Sequence, residues 1–410
     1  MSAQTQPIVR AVHCDHQSSD EEVYEALQRA TAPLDAAWAK LKAAKTISIK
    51  FNQAWRPNEL RYHAGRLQEL VDFQVARAVL RLLRENTSAD ITCCEVAVMG
   101  GAGKQHTVEE TITLLPVLRE FEVPFVDGDQ PPVRSVSVPG GGLMFAQYVL
   151  PESVVDADCF VSVQKAKNHR FMGVTLALKN LFGLCTQPPY GRPRHYYHHI
   201  IRLPYVLADL GRIIDPTLNI IDGIVGQARG EWGGEARVCN ALIAGDQVTA
   251  TDAVVTHLMG HDPLGDWPSM PYGRDRNPGL VCHENGLGTA DLGAIDWQSE
   301  VAAPMGDFYA EQLDAEETVV SWRRTTCEQA LYYRDHMADL AQYAGEYVLL
   351  QDHEVRWHGP STDWNRSRRE IAGDRPDSAL YLKYVDPEEC EQERFGVYEW
   401  TLKRMAEQGL

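Results

Sequence analysis

The sequence predicts an α/β fold: a mostly parallel sheet with helices on both faces, plus a small α+β C-terminal module. Three observations carry this. Short apolar runs alternate with amphipathic stretches from about residue 46 to 259. A strand, a glycine turn and a helix follow one another around residue 100. After about residue 304 the texture changes to charged, helix-rich sequence. Residues 1–304 read as the α/β domain. Residues 305–410 read as a helical segment with a small ββαβ-like C-terminal module.

Residues 21–43 have helical periodicity broken by Pro33. Thr46-Ile47-Ser48-Ile49 reads as a buried strand running into Lys50-Phe51-Asn52. Residues 66–86 place Leu67, Leu70, Val71, Phe73, Val75, Ala78, Val79 and Leu82 at 3/4 spacing, which predicts an amphipathic helix. A strand over 91–98 leads into Gly100-Gly101-Ala102-Gly103-Lys104, and Thr107 with Glu109 and Glu110 starts another helix. That glycine turn fits neither the phosphate-loop nor the dinucleotide fingerprint. Residues 122–140 read as a proline-punctuated β excursion. Cys159–Val163 is a strand, and the apolar stretch 171–184 contains a helix that Gly183 ends. A helix at about 200–213 and a strand Leu218–Ile221 closing on Asp222-Gly223 follow. Strand Ala241–Ala244 closes on Gly245-Asp246, with a helix over about 250–259. In the C-terminal region a helical stretch, Phe308 to Leu340, precedes a hairpin over about 345–357 and a strand over 379–385.

The 410 residues suffice for two domains, or for one large domain with an appendage. A formal net charge of −18 argues against general affinity for nucleic acid or anionic membranes. No apolar run approaches a membrane span, and Met1 to Gln17 lacks a signal pattern, which predicts a cytoplasmic protein. Nine scattered cysteines without Cys-x-x-Cys read as reduced thiols rather than a zinc or iron–sulfur site. Homo-oligomerisation is left open.

The chemistry concentrates between Asp158 and Asp209. Residues 159–208 contain no Asp or Glu, where about seven would be expected from 57 acids in 410 residues. The same stretch holds Lys165, Lys167, Lys179, Arg170, Arg192, Arg194, Arg202, His169, His195, His198 and His199. Uncompensated buried cations are costly unless something anionic meets them. Either a small anionic ligand does so, or acids from elsewhere in the chain supply the counter-charge. Placement favours a ligand, because sites in open parallel sheets lie beyond the carboxyl ends of strands. Lys165, Lys167 and His169 alternate onto one side of an extended chain. Thr175 and Lys179 share one helix face if that segment is helical. His195, His198 and His199 have i,i+3 and i,i+4 spacing, at which two histidines on a helix can bind a divalent metal. Asp222, Asp246, Asp252 and Glu231 can bring carboxylates to the site or cap turns and helices. Lys50 and Asn52 suit its wall. The loop Gly226–Gly234, around Trp232, reads equally as a lid or a turn.

Taken in order, several of these residues resemble the family called domain of unknown function 362. They are Ile49-Lys50-Phe51-Asn52, Lys165-Ala166-Lys167-Asn168-His169, Gly173-Val174-Thr175-Leu176-Ala177-Leu178-Lys179-Asn180-Leu181-Phe182-Gly183, Asp222-Gly223, and Ala244-Gly245-Asp246 with Asp252-Ala253. The resemblance covers about residues 45–300 and departs from the family pattern at Phe51 and Asn168. Many members resemble iron–sulfur proteins with a ferredoxin-like module, but the cysteine run for that cluster is missing here. The family is also similar in architecture to the nickel-dependent lactate racemases, a fold-level likeness.

The leading expectation is an enzyme acting on a small carboxylate- or phosphate-bearing metabolite without a redox cofactor. Lys165, Lys167 and Arg194 hold the anion, Lys50, Asn52 and Thr175 help bind the substrate, and the strand-end acids Asp222, Asp246 and Asp252 contact it or orient a histidine. Lys167, His169 or His195 transfers protons, and Lys179 and Asn180 polarise a carbonyl or stabilise an oxyanion. Isomerisation, elimination and hydrolysis all suit that set. The alternatives are a metal-dependent enzyme using the histidines, His198 and His199 among them, and a non-catalytic binding or accessory protein.

Overall fold

The computed structural model describes residues 6–97, 107–360 and 381–410. The glycine turn Gly100–Lys104 lies outside these residues, as does the start of the expected strand at 379–380. The central sheet runs Asp296–Ser299, Ile8–His13, Glu235–Gly245, Leu218–Ala228, Cys159–His169, Thr46–Phe51, Asp90–Glu95, Phe125–Asp127. A short strand, Gly173–Thr175, folds back antiparallel onto Cys159–His169. From Leu218–Ala228 to Phe125–Asp127 every neighbouring pair is parallel. Glu235–Gly245 opposes both its neighbours.

Helices cover both faces. Asp20–Thr31, Asp35–Ala43, Phe73–Asn86 and Leu115–Glu120 pack against one. Ala177–Leu181, Arg202–Ile214, Val248–Leu258 and Pro278–Glu284 pack against the other. Local sequence explains much of this. Ser19 and Glu22 form a capping box that starts Asp20–Thr31, and Thr107 and Glu110 do the same for Val108–Thr111.

Three local expectations need correction. The helix predicted over 66–86 begins only at Phe73, because Asp72 caps it by accepting from the Gln74 amide. Arg66–Leu67 is a strand instead, and Leu67, Leu70 and Val71 are buried without being helical. Thr175 is not on a helix with Lys179. Gly173, at φ +77°, lets the chain turn back so that Gly173–Thr175 pairs with the preceding strand, and the helix spans only Ala177–Leu181. Asp222 does not end its strand, which continues to Ala228 past an irregularity at Gly223–Val225.

In the C-terminal region, Glu316–Asp335 and Gly396–Glu407 accompany an antiparallel sheet ordered Glu354–Gly359, Tyr347–Gln351, Tyr381–Tyr384. Tyr347, Tyr381 and Tyr398 share one apolar core with Phe145, Tyr196 and Tyr197. Among the described residues no helix is long and apolar enough to cross a membrane.

Candidate anion-binding site

Of the seven Lys and Arg side chains in the acid-free segment, four are matched by acids from later in the chain. Lys165 Nζ lies 2.7 Å from Asp222 Oδ2, with both side chains fully buried. Arg170 pairs with Glu311 at 2.8 Å, Arg192 with Glu391, and Arg202 with Glu393 at 2.9 Å. Lys50, on the neighbouring strand, pairs with Glu95 and donates to Asn180 Oδ1 at 3.0 Å. Gly183 permits this approach, since a Cβ there would sit 2.6 Å from both Lys50 Cε and Glu95 Oε1.

Lys167, Lys179 and Arg194 are different. Among the described residues none of them has a carboxylate within ion-pair distance. Lys167 Nζ donates to Asn52 Oδ1 at 3.1 Å and to the Glu69 carbonyl at 2.7 Å, and lies 4.5 Å from the centre of the Trp232 ring. Burial pulls its ammonium down to about 7, against the opposing fields of Glu69 and Glu231. Lys179 and Arg194 share one aromatic ring: Nζ is 4.4 Å, and the guanidinium carbon 4.7 Å, from the centre of Phe182. Lys179 is shifted well below its ordinary value, first by desolvation and then by Arg194.

His169 completes the group at the carboxyl end of its strand. Its Nδ1 accepts from the amides of Phe171 at 3.0 Å and Met172 at 3.2 Å, which places the proton of the neutral ring on Nε2. Burial lowers it to about 4, so it is neutral near pH 7. Glu231 Oε2 approaches Nδ1 at 3.6 Å. With Nδ1 already occupied and the ring neutral, this is a close approach rather than an ion pair. Burial raises the Glu231 carboxyl, but His169, the amides of Glu231 and Arg170, and Lys179 outweigh it and hold it low. His198 stacks on His169 at 5.6 Å and meets Phe171 and Phe182, and desolvation, then Lys179, pushes it well down.

Thr175 lies opposite Lys167 in the register of its strand pair, so the two side chains share a face. Its hydroxyl is buried with no hydrogen-bond partner among the described residues. An orphaned buried polar atom costs about 1–3 kcal/mol, and a bound ligand removes that cost.

Several expected site residues do other work. Lys165 and Asp222 form a closed pair, and Asp222 also accepts from the Asp72 amide at 2.9 Å. Asn180 is saturated by the Lys50 carbonyl, Ser162 Oγ and the Val163 carbonyl, which ties its helix to the sheet. Asp252 caps that helix, accepting from the amides of Ala177 at 2.8 Å and Leu178 at 2.9 Å, and burial raises it to about 7. Asp246 lies at the opposite end of the sheet. Its strand runs antiparallel, so it ends where Ile8 begins, and its carboxylate accepts from the Ile8 amide at 2.8 Å. His195 is lowered to about 3 by burial and next by His199. Among the described residues no three His, Cys, Asp or Glu side chains converge as a metal site requires.

The loop between the long strands supplies what the basic segment lacks, namely Glu231 and Trp232. Trp232 stacks on Trp55 at 3.6 Å, so its indole lies between Trp55 and Lys167. It is pinned rather than loose. Gly233 N donates to Glu69 Oε1 at 2.6 Å, Gln227 Nε2 to the Gly230 carbonyl at 2.7 Å, and Arg170 to the Trp232 carbonyl at 3.2 Å. Beyond it a cleft of about 570 Å³ opens, lined by Trp55, Arg61, Glu69 and Trp232 among others.

Fold and site together define an α/β protein with a cationic centre at the carboxyl ends of its parallel strands. The chain belongs to the family described as domain of unknown function (DUF362), which matches residues 48–257, about half of its length. It is similar to a thylakoid-associated protein of Synechocystis sp., 29% identical over 167 residues. That match covers 39% of this chain and 49% of the other, so the chain spans about half the length of this curated relative. A loose likeness links it to the lactate racemase apoprotein of Thermoanaerobacterium thermosaccharolyticum: 13% identity, TM-score 0.36, 62% of this chain and 57% of that one.

Proposed function

We propose that this chain is an enzyme acting on a small carboxylate- or phosphate-bearing metabolite by Lys/His acid–base chemistry. The carrying observation is the sorting of charge. Lys50 and Lys165 are closed off by acids, whereas among the described residues Lys167, Lys179 and Arg194 have no carboxylate within ion-pair distance, and the buried Thr175 hydroxyl, opposite Lys167, has no partner. Lys179 and Arg194 hold the anionic group, because two cations facing one ring are stabilised when an anion joins them. Lys167, titrating at about 7, exchanges a proton with the substrate near neutral pH. Neutral His169 presents Nε2–H as a hydrogen-bond donor to a developing oxyanion. Glu231 keeps the site from being uniformly cationic.

The test is a panel of hydroxy acids, oxo acids, amino acids and phosphate monoesters incubated with the protein in D2O and followed by proton NMR. Solvent deuterium incorporation, elimination or ester cleavage that disappears in Lys167→Met supports the reading. Binding of panel members without any turnover makes the protein an anion carrier instead.

A further inference from the structure

The acids that neutralise Arg192 and Arg202 lie outside the family-matched stretch, on residues 389–394 near the C-terminus. Glu391 grips the basic segment twice. One carboxylate oxygen pairs with Arg192 Nε, and the other accepts from the Tyr196 hydroxyl at 2.9 Å. The Arg192 guanidinium is also held 3.7 Å from the Tyr384 ring centre. Glu393 takes Arg202, whose Nη1 reaches back to the Tyr196 carbonyl at 3.1 Å. The Glu391 backbone is itself tied to the chain just before the strand Gln147–Pro151, where its carbonyl accepts from Ala146 N at 2.7 Å. The one-turn helix Arg194–Tyr197 is therefore fixed at both ends by a C-terminal clamp, with Arg194 left over and unpaired among the described residues.

We infer that Glu391 is a positioning residue for Arg194. By engaging Arg192 and Tyr196 on either side, it fixes the turn that carries the Arg194 guanidinium over Phe182. The C-terminal region is then part of how the anion site is assembled. This inference rests on the proposed anion site. Its physical basis is that a guanidinium already held in place loses less conformational freedom on binding.

A double-mutant cycle on the full chain, read as inorganic phosphate affinity by calorimetry, tests it. Glu391→Gln is expected to weaken phosphate binding about tenfold in the otherwise unchanged protein and to have no further effect in Arg194→Met. A purely structural role would give equal losses in both backgrounds, and that result, or no loss in the first, overturns the inference. Should Glu391→Gln fail to fold, Tyr196→Phe breaks one of the two grips without stranding a charge. It is expected to weaken phosphate binding about threefold, again only when Arg194 is present. Unaltered binding in Tyr196→Phe counts against the inference. If the unsubstituted protein binds no phosphate, the anion site itself falls, and the inference with it.

Discussion

Replacing Asp222 with Asn strands Lys165. The two side chains are fully buried at 2.7 Å, and among the described residues no second carboxylate lies within ion-pair distance of Lys165. Asn keeps one oxygen to accept from the Asp72 amide at 2.9 Å, but its Nδ2 then faces the Ile224 amide, which donates to Asp222 Oδ1 at 3.2 Å, so the variant loses the charge and that one contact. Removing one partner of a buried pair costs about 3–5 kcal/mol. Pairing the change with Lys165→Met removes the stranded cation, and most of that loss should return, leaving a deficit of about 1 kcal/mol. Urea unfolding with unchanged m-value measures both. A loss below about 1 kcal/mol in the single variant, or a double variant no more stable than the single, would refute the reading of Lys165 as a closed structural cation.

Three further outcomes follow from the same geometry. Unfolded chains keep a lysine proton to about pH 10.4, whereas folded Lys167 releases it at about 7. Lys167 therefore contributes stability that grows between about pH 7 and 10, so the difference in unfolding free energy between the unsubstituted protein and Lys167→Met should shift in favour of the unsubstituted protein over that range, as unfolding of both at stepped pH will show. His169, lowered to about 4, should appear by nitrogen NMR at pH 6 as the neutral tautomer protonated on Nε2, and an imidazolium signal there contradicts its assigned role. Asp252→Ala removes the acceptor for two helix-start amides and should cost about 1–2 kcal/mol in thermal unfolding, while phosphate affinity stays the same.

Much of the scaffold could be read before any coordinates. The apolar run Cys159–Val163 followed by Lys-x-Lys-x-His predicted a strand delivering cations to the sheet's carboxyl edge, and the strand extends through His169. The missing acids pointed to the segment that carries Lys167, Lys179 and Arg194, the cations with no carboxylate within ion-pair distance among the described residues. What the sequence hid was which cations were already matched, because Asp222, Glu311, Glu391 and Glu393 reach their partners across tens to nearly two hundred residues. Thr175 was misplaced because its neighbours are apolar enough for either a helix or a strand, and Gly173 decides between them by turning the chain. The position of Asp246 was hidden, because the sequence marks strands only at Leu218–Ile221 and Ala241–Ala244, far enough apart for a crossover, and only the full strands show that the loop Arg229 to Gly234 is too short for one and makes Glu235–Gly245 run backwards. The tethers of Trp232 were not recoverable, since Gln68 and Glu69 come from a segment whose periodicity looked helical.

The most direct test compares Lys179→Met with the unsubstituted protein in two assays run together, phosphate affinity and unfolding free energy. Because Lys179 has no carboxylate within ion-pair distance among the described residues, and desolvation and Arg194 both oppose its charge, its removal should leave the fold at least as stable while weakening phosphate binding at least tenfold. Lower stability with undiminished phosphate affinity would contradict the claim that these cations are held apart for an anion.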